Sequence, residues 1–270
     1  MQHETSEPQT RPRFGCLAGD LAAATISASV VAPAVTIIDR AIVEKSSFNQ
    51  PLFRGLHAHA MVALKRPAPF VFHRPFGIAW TLYAATYSVA NGADTVGRAL
   101  QPSAVGTIGF LSTTLVNVPL AVWKDLSFAQ AYGIKPSTTS KNQISAMQAA
   151  SVRNPAVLRA ATAIFVVRDG VTIFGSFTLA PRLSAAHPQA KPVITQLTVL
   201  VLTQLVATPI HLLGLDLYTR QKRVPFSDRL VQSQRYLPSS IVLRCVRIIP
   251  AFGVGCLLNL ELRSFFHARL

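Results

Sequence analysis

The chain has 270 residues, of which half are hydrophobic and only 14% charged. Soluble domains carry about 25% charged residues, so this composition excludes an ordinary soluble globular protein and argues for one embedded in a membrane. Twenty-six Lys and Arg against 11 Asp and Glu leave a net charge of +15, which suits an anionic membrane surface or a negatively charged solute.

From Met1 to Arg13 the chain is polar and lacks the basic stretch plus apolar core of a secretory signal, so a polar tail over 1–14 is expected. Six apolar stretches follow, at about 21–38, 75–93, 99–123, 157–180, 192–215 and 241–260. Ala99 to Trp123 and Pro192 to Leu215 hold no formally charged residue, and at about 1.5 Å per residue each is long enough to cross a hydrocarbon core of about 30 Å. Six crossings put the connections around 44–69, 124–153 and 216–247 on one side, where they hold 15 Lys or Arg. That asymmetry matches long loops facing the positive-inside compartment. The expected fold is therefore an all-α membrane protein of six transmembrane helices, with 15–270 as one transmembrane domain.

Three of these helices share a pattern. Ser27 to Pro33, Thr113 to Pro119 and Thr203 to Pro209 each place a hydroxyl six residues before a proline and a valine three before it. The prolines, Pro33, Pro119 and Pro209, are 86 and then 90 residues apart, and Asp39, Asp125 and Asp216 follow them by six or seven residues. A proline inside a membrane helix removes a backbone hydrogen bond and bends the helix at a defined depth. The spacing predicts three repeats, about 15–100, 101–190 and 191–270. In the intervening helices Arg74, Arg168 and Arg247 each precede small or apolar residues; an arginine at bilayer depth should face a wet cavity or a counter-charge.

Three repeats of this length, with proline-bent odd helices, the element Phe53-Arg54-Gly55 and the small-residue face Gly15, Gly19, Ala23, resemble the mitochondrial carrier family. The resemblance implies pseudo-threefold symmetry around a central cavity and transport of a small charged solute across the mitochondrial inner membrane by alternating access, with anionic lipids such as cardiolipin as neighbours and a monomeric state. It also implies a second reading, a non-transporting adaptor of carrier fold in the outer membrane. The chain departs from the family's Pro-x-acidic-x-x-basic signature, for it reads Pro33-Ala-Val-Thr-Ile-Ile, Pro119-Leu-Ala-Val-Trp-Lys and Pro209-Ile-His-Leu-Leu-Gly. A displaced ring of ion pairs is expected in its place, built from Asp39, Asp125 and Asp216 with Arg40, Lys124 and Arg220, about one turn further along each helix.

The resemblance assigns solute binding to Arg168, Asp169 and Arg247, with His73 and Arg74 beside them. A guanidinium takes a carboxylate through two hydrogen bonds while a neighbouring carboxylate accepts an ammonium, so Arg168-Asp169 fits a zwitterion or a basic amino acid. The same two residues could equally neutralise each other inside the bundle. Little else in the sequence carries chemistry. His57 and His59 have no third ligand at metal spacing and read as exposed loop histidines. Cys16, Cys245 and Cys256 form neither a metal site nor an even disulfide framework. No nucleophile signature, cofactor motif or paired carboxylates stand out, so neither an enzyme, a cofactor, a metal nor a nucleic-acid partner is expected.

Overall fold

The computed structural model describes residues 14–48, 51–100, 102–133, 155–175, 179–186, 189, 192–219 and 225–269. These are helical almost throughout, and no strand occurs among them. The order is α1 (Phe14–Phe48), α2 (Leu52–Lys65), α3 (Pro67–Val71), α4 (Arg74–Leu100), a 3₁₀ turn at Pro102–Ala104, and α5 (Val105–Tyr132). Then come α6 (Pro155–Phe174), α7 (Ala180–Ala186), α8 (Pro192–Thr219), α9 (Phe226–Ile248), a π-helical stretch (Ile249–Val254) and α10 (Gly255–His267).

Helices α1, α5 and α8 are apolar on every side, the pattern of a segment bathed in lipid or wholly enclosed. Four helical segments among the described residues are long and apolar enough to cross a membrane: Phe14–Phe48, Val105–Tyr132, Leu197–Thr219 and Ser227–His267. In the most apolar stretch of α5 only 6% of residues are buried, so its hydrophobic side chains point outward. Leu111 and Leu115 of α5, and Leu202, Leu205 and Val206 of α8, are similarly exposed. An apolar exterior of this extent requires lipid or another apolar cover. The chain is accordingly a multi-pass helical membrane protein.

The helices neighbour one another in chain order. Helix α1 lies along α4, α4 along α5, α5 touches α6, α6 packs on α8, α8 on α9, and the segment from α9 to α10 returns to α1. Close approach is made possible by a face of α1 in which Ala23, Ala24, Ala28 and Ala32 are fully buried, as small residues allow membrane helices to meet. Gly255 serves the crossing of α10 with α1 and α4: a Cβ there would stand 2.6 Å from Val31 Cγ2 and closer still to the Tyr87 hydroxyl.

The sequence reading changes in several places. Pro33, Pro119 and Pro209 do lie inside α1, α5 and α8, and a further proline, Pro238, lies inside α9. The stretch 44–69, expected as loop, holds the end of α1, all of α2 and the start of α3, and α2 is amphipathic in the way of a helix lying on an interface. His59 is no exposed loop histidine: it is buried on α2, with Nε2 2.6 Å from Glu44 Oε2. The basic stretch 216–247 is mostly helix α9, which carries Arg244 and Arg247 into the interior.

Candidate functional site: a charged chamber

Five helices and the π-helical stretch enclose a chamber of about 750 Å³, part of it open to solvent. Leu82 and Tyr83 come from α4, Asn117, Lys124 and Asp125 from α5, Arg168, Asp169 and Thr172 from α6, Gln204 from α8, Arg244 and Arg247 from α9, and Ala251 from the π-helical stretch. Asp39 of α1 closes the wall through its ion pairs with two of these residues.

The charges alternate. Arg247 Nη1 donates to both oxygens of Asp39 at 3.1 Å, and Asp39 also accepts from Lys124 Nζ. Lys124 Nζ is 2.8 Å from Asp125 Oδ1, Asp125 Oδ2 accepts from Arg168 Nη1, and Arg168 Nη2 donates to Asp169 Oδ1 at 2.5 Å. Six side chains from α9, α1, α5 and α6 thus form one unbroken file of opposite charges. Isolated ions at this depth would each cost several kcal/mol to bury, and pairing each with its neighbour offsets that cost. Adjacency in sequence supplies two of the joints, since Lys124-Asp125 and Arg168-Asp169 each present both signs.

This neutral file leaves two polar groups unmatched, one beside it and one at its end. Arg244 is 3% exposed, and its Nε donates to Gln204 Oε1 at 3.0 Å; among the described residues no carboxylate stands within 4.0 Å of it. At the end of the file, Asp169 Oδ2 is buried without a hydrogen-bond partner. His211 Nδ1 is 3.0 Å from Arg168 Nη1 and its ring stacks obliquely near Phe165.

The expected site residues separate into groups. Arg168, Asp169 and Arg247 meet in the chamber, and the expected gate residues Asp39, Lys124 and Asp125 join them there. The joints differ from those of the expected ring: Asp39 does meet Lys124, but Asp125 meets Arg168, and Asp216 accepts from Arg229 Nη1 at 2.7 Å. Arg40 turns to Glu44, at 2.8 Å, and lies over the Tyr132 ring. Arg220 lies outside the described residues. His73 and Arg74 are exposed at the start of α4, eight or more residues before Leu82, which at 1.5 Å per residue is roughly 12 Å along the helix. His73 lines a separate groove with Arg40, Arg66, Phe70 and Tyr132.

Sequence reasoning passed over Arg244, Gln204 and His211. The signal for Arg244 was its spacing, since residues three apart share a helix face and Arg247 had already been assigned to the interior. It also missed a polar cluster at the far end of α1. There Asp20 accepts from Thr95 Oγ1 at 2.5 Å and Arg263 Nε at 2.8 Å, with His267 Nε2 also 2.8 Å away. Beside it Asn91 and Asn259 exchange side-chain hydrogen bonds at 2.9 and 2.8 Å.

A multi-pass helical bundle around a charged, part-open chamber suits the class of membrane transporters of small solutes, and the family match points to that class. A family model described as Probable citrulline exporter matches residues 23–267, and the chain belongs to that family. No curated protein matches it. This membership corrects the resemblance to the mitochondrial carriers: three prolines at near-even spacing inside apolar helices do not by themselves identify that family, whose signature charges this chain lacks.

Proposed function

We propose that the protein exports citrulline, or a neutral amino acid of the same shape, by alternating access of the chamber to the two sides of the membrane. The observation that carries this reading is the chamber itself. Its walls offer guanidinium, carboxylate and amide groups suited to a zwitterion with a polar, uncharged side chain. The family's description supplies the solute. The adaptor alternative rested on the carrier resemblance and on missing gate charges; the alternating file of buried ions favours transport, because such ions are costly to keep where nothing is bound or moved.

In this reading α1, α4, α5, α6, α8 and the segment from α9 to α10 are six spans of a single domain over 15–270, arranged as three helix pairs behind the polar tail 1–14. The solute passes without covalent change, so the chain acts as a transporter and not as an enzyme, and a closed bundle of six spans is complete as a monomer. Anionic lipid headgroups, cardiolipin among them, suit the groove of Arg40, Arg66 and His73. Mitochondrial placement came with the carrier resemblance alone, and no residue described above carries it further.

The test is export from liposomes. Purified protein reconstituted with labelled citrulline inside should release it with saturable kinetics, whereas protein-free liposomes retain it. Folded protein that moves neither citrulline nor any other neutral amino acid refutes the reading.

A further inference from the structure

We infer that Arg244 and Asp169 are the two poles that hold the backbone end of the solute, Arg244 taking its carboxylate and Asp169 its ammonium. The inference rests on the amino-acid reading above and goes beyond it by assigning each pole to a residue.

The argument is one of elimination among buried charges. The cations Lys124, Arg168 and Arg247 are each already held by a carboxylate, Lys124 and Arg168 by two. Arg244 is as deeply buried as Lys124 and Arg168 and lines the same chamber, yet its one described partner is the neutral amide oxygen of Gln204. A guanidinium at that depth lacks the counter-charge that would repay its lost hydration. A solute carboxylate supplies one, in the planar geometry that a guanidinium matches with two hydrogen bonds. Gln204 meanwhile holds Nε, and the two terminal nitrogens have no partner among the described residues.

The acceptor pole follows in the same way. Asp169 Oδ1 is engaged by Arg168, but Oδ2 is buried and unpartnered while the residue lines the chamber. A buried carboxylate oxygen without a donor is a place for one, and an ammonium brings three. Arg244 and Asp169 line the same chamber, so one small molecule inside it can meet both poles. Arg168, which by sequence looked like the carboxylate anchor, has both terminal nitrogens held, by Asp125 and Asp169, with only Nε left unpartnered, and its role is to position Asp169.

Equilibrium binding to the detergent-solubilised full chain tests this apart from transport. The probes are citrulline, its decarboxylated analogue and its deaminated analogue. Wild type should bind citrulline about 10- to 100-fold more tightly than either analogue, the range expected when a hydrogen bond to a charged group is lost. Arg244→Gln should bring the decarboxylated analogue level with citrulline while still rejecting the deaminated one, and Asp169→Asn should do the reverse. Arg244→Lys should restore part of the preference. A purely structural role would weaken all three probes alike, and that result, or an unchanged ratio in either variant, overturns the assignment. Selective binding by a chain that fails to release citrulline from liposomes would overturn the export reading and leave the poles standing. A folded wild type that binds none of the probes overturns both.

Discussion

Asp39 is the junction at which α1 is tied to α5 through Lys124 and to α9 through Arg247. Replacing it by asparagine keeps the shape and removes the charge. Asp39 is 6% and Lys124 3% exposed, so two cations would remain in the interior with one counter-charge fewer. Breaking a buried pair in this way costs about 3–5 kcal/mol. For a chain of this size that corresponds to a fall in melting temperature of roughly 10 °C. Thermal unfolding in detergent can be followed with a thiol-reactive fluorophore, because Cys16, Cys245 and Cys256 are free and half-buried. Adding Lys124→Met to Asp39→Asn should recover part of the loss, since the second change removes one of the stranded cations. Exchanging the pair, Asp39→Lys with Lys124→Asp, should restore less than full stability, because Arg247 would then face a cation. A shift below about 2 °C, or strict additivity in the double variant, would show that these ions do not hold the three helices together.

The surplus cation of the chamber bears on selectivity. A side-chain cation, ammonium or guanidinium, roughly 6 Å from it would be disfavoured by about 3 kcal/mol at an effective dielectric constant of 20, on the order of 100-fold. Ornithine and arginine should therefore compete poorly with citrulline for release from liposomes, and equal competition would count against the charge inventory. Asn91→Leu should cost about 1–3 kcal/mol by leaving the Asn259 amide buried and unpartnered, with Asn91→Leu plus Asn259→Leu less harmful than the single change; a double variant worse than either single one would contradict the pairing. Gly255→Ala should lower the melting temperature by several degrees, because the new methyl group displaces the Tyr87 hydroxyl from its 2.9 Å bond to the Ala251 carbonyl. A variant that melts higher than wild type would show that the crossing has room to spare.

Part of the site was readable because two of its residues stand at one fixed distance from a proline. Asp39 and Asp125 stand six residues after Pro33 and Pro119, and both proved to be buried joints in the chamber. The adjacent pair Arg168-Asp169 was also visible, although its arginine turned out to serve Asp125. What stayed hidden depends on contacts between distant helices. Arg244 sits after a stretch rich in Ser, Gln and Arg whose hydropathy resembles a loop, and only its packing against α8 shows it to be interior. Asp216 follows Pro209 by seven residues, one more than Asp125 follows Pro119, and meets Arg229, because α9 folds back beside α8. The cluster of Asp20, Thr95, Arg263 and His267 joins the two ends of the chain, and no local pattern announces such a meeting. The family was misjudged for a related reason: proline spacing reports helix geometry, which different families can reach separately.

The last span is fastened to α1 at two places, by Arg247 on Asp39 below the π-helical stretch and by Arg263 on Asp20 above it. Between these fastenings, over Ile249–Val254, the backbone runs as a π-helix, whose i→i+5 turns are wider than those of an α-helix. Rocking of the span against α1 would thus load a pliant fulcrum instead of a rigid rod. One fastening can let go while the other grips, so the molecule need never release both ends of its final helix at once.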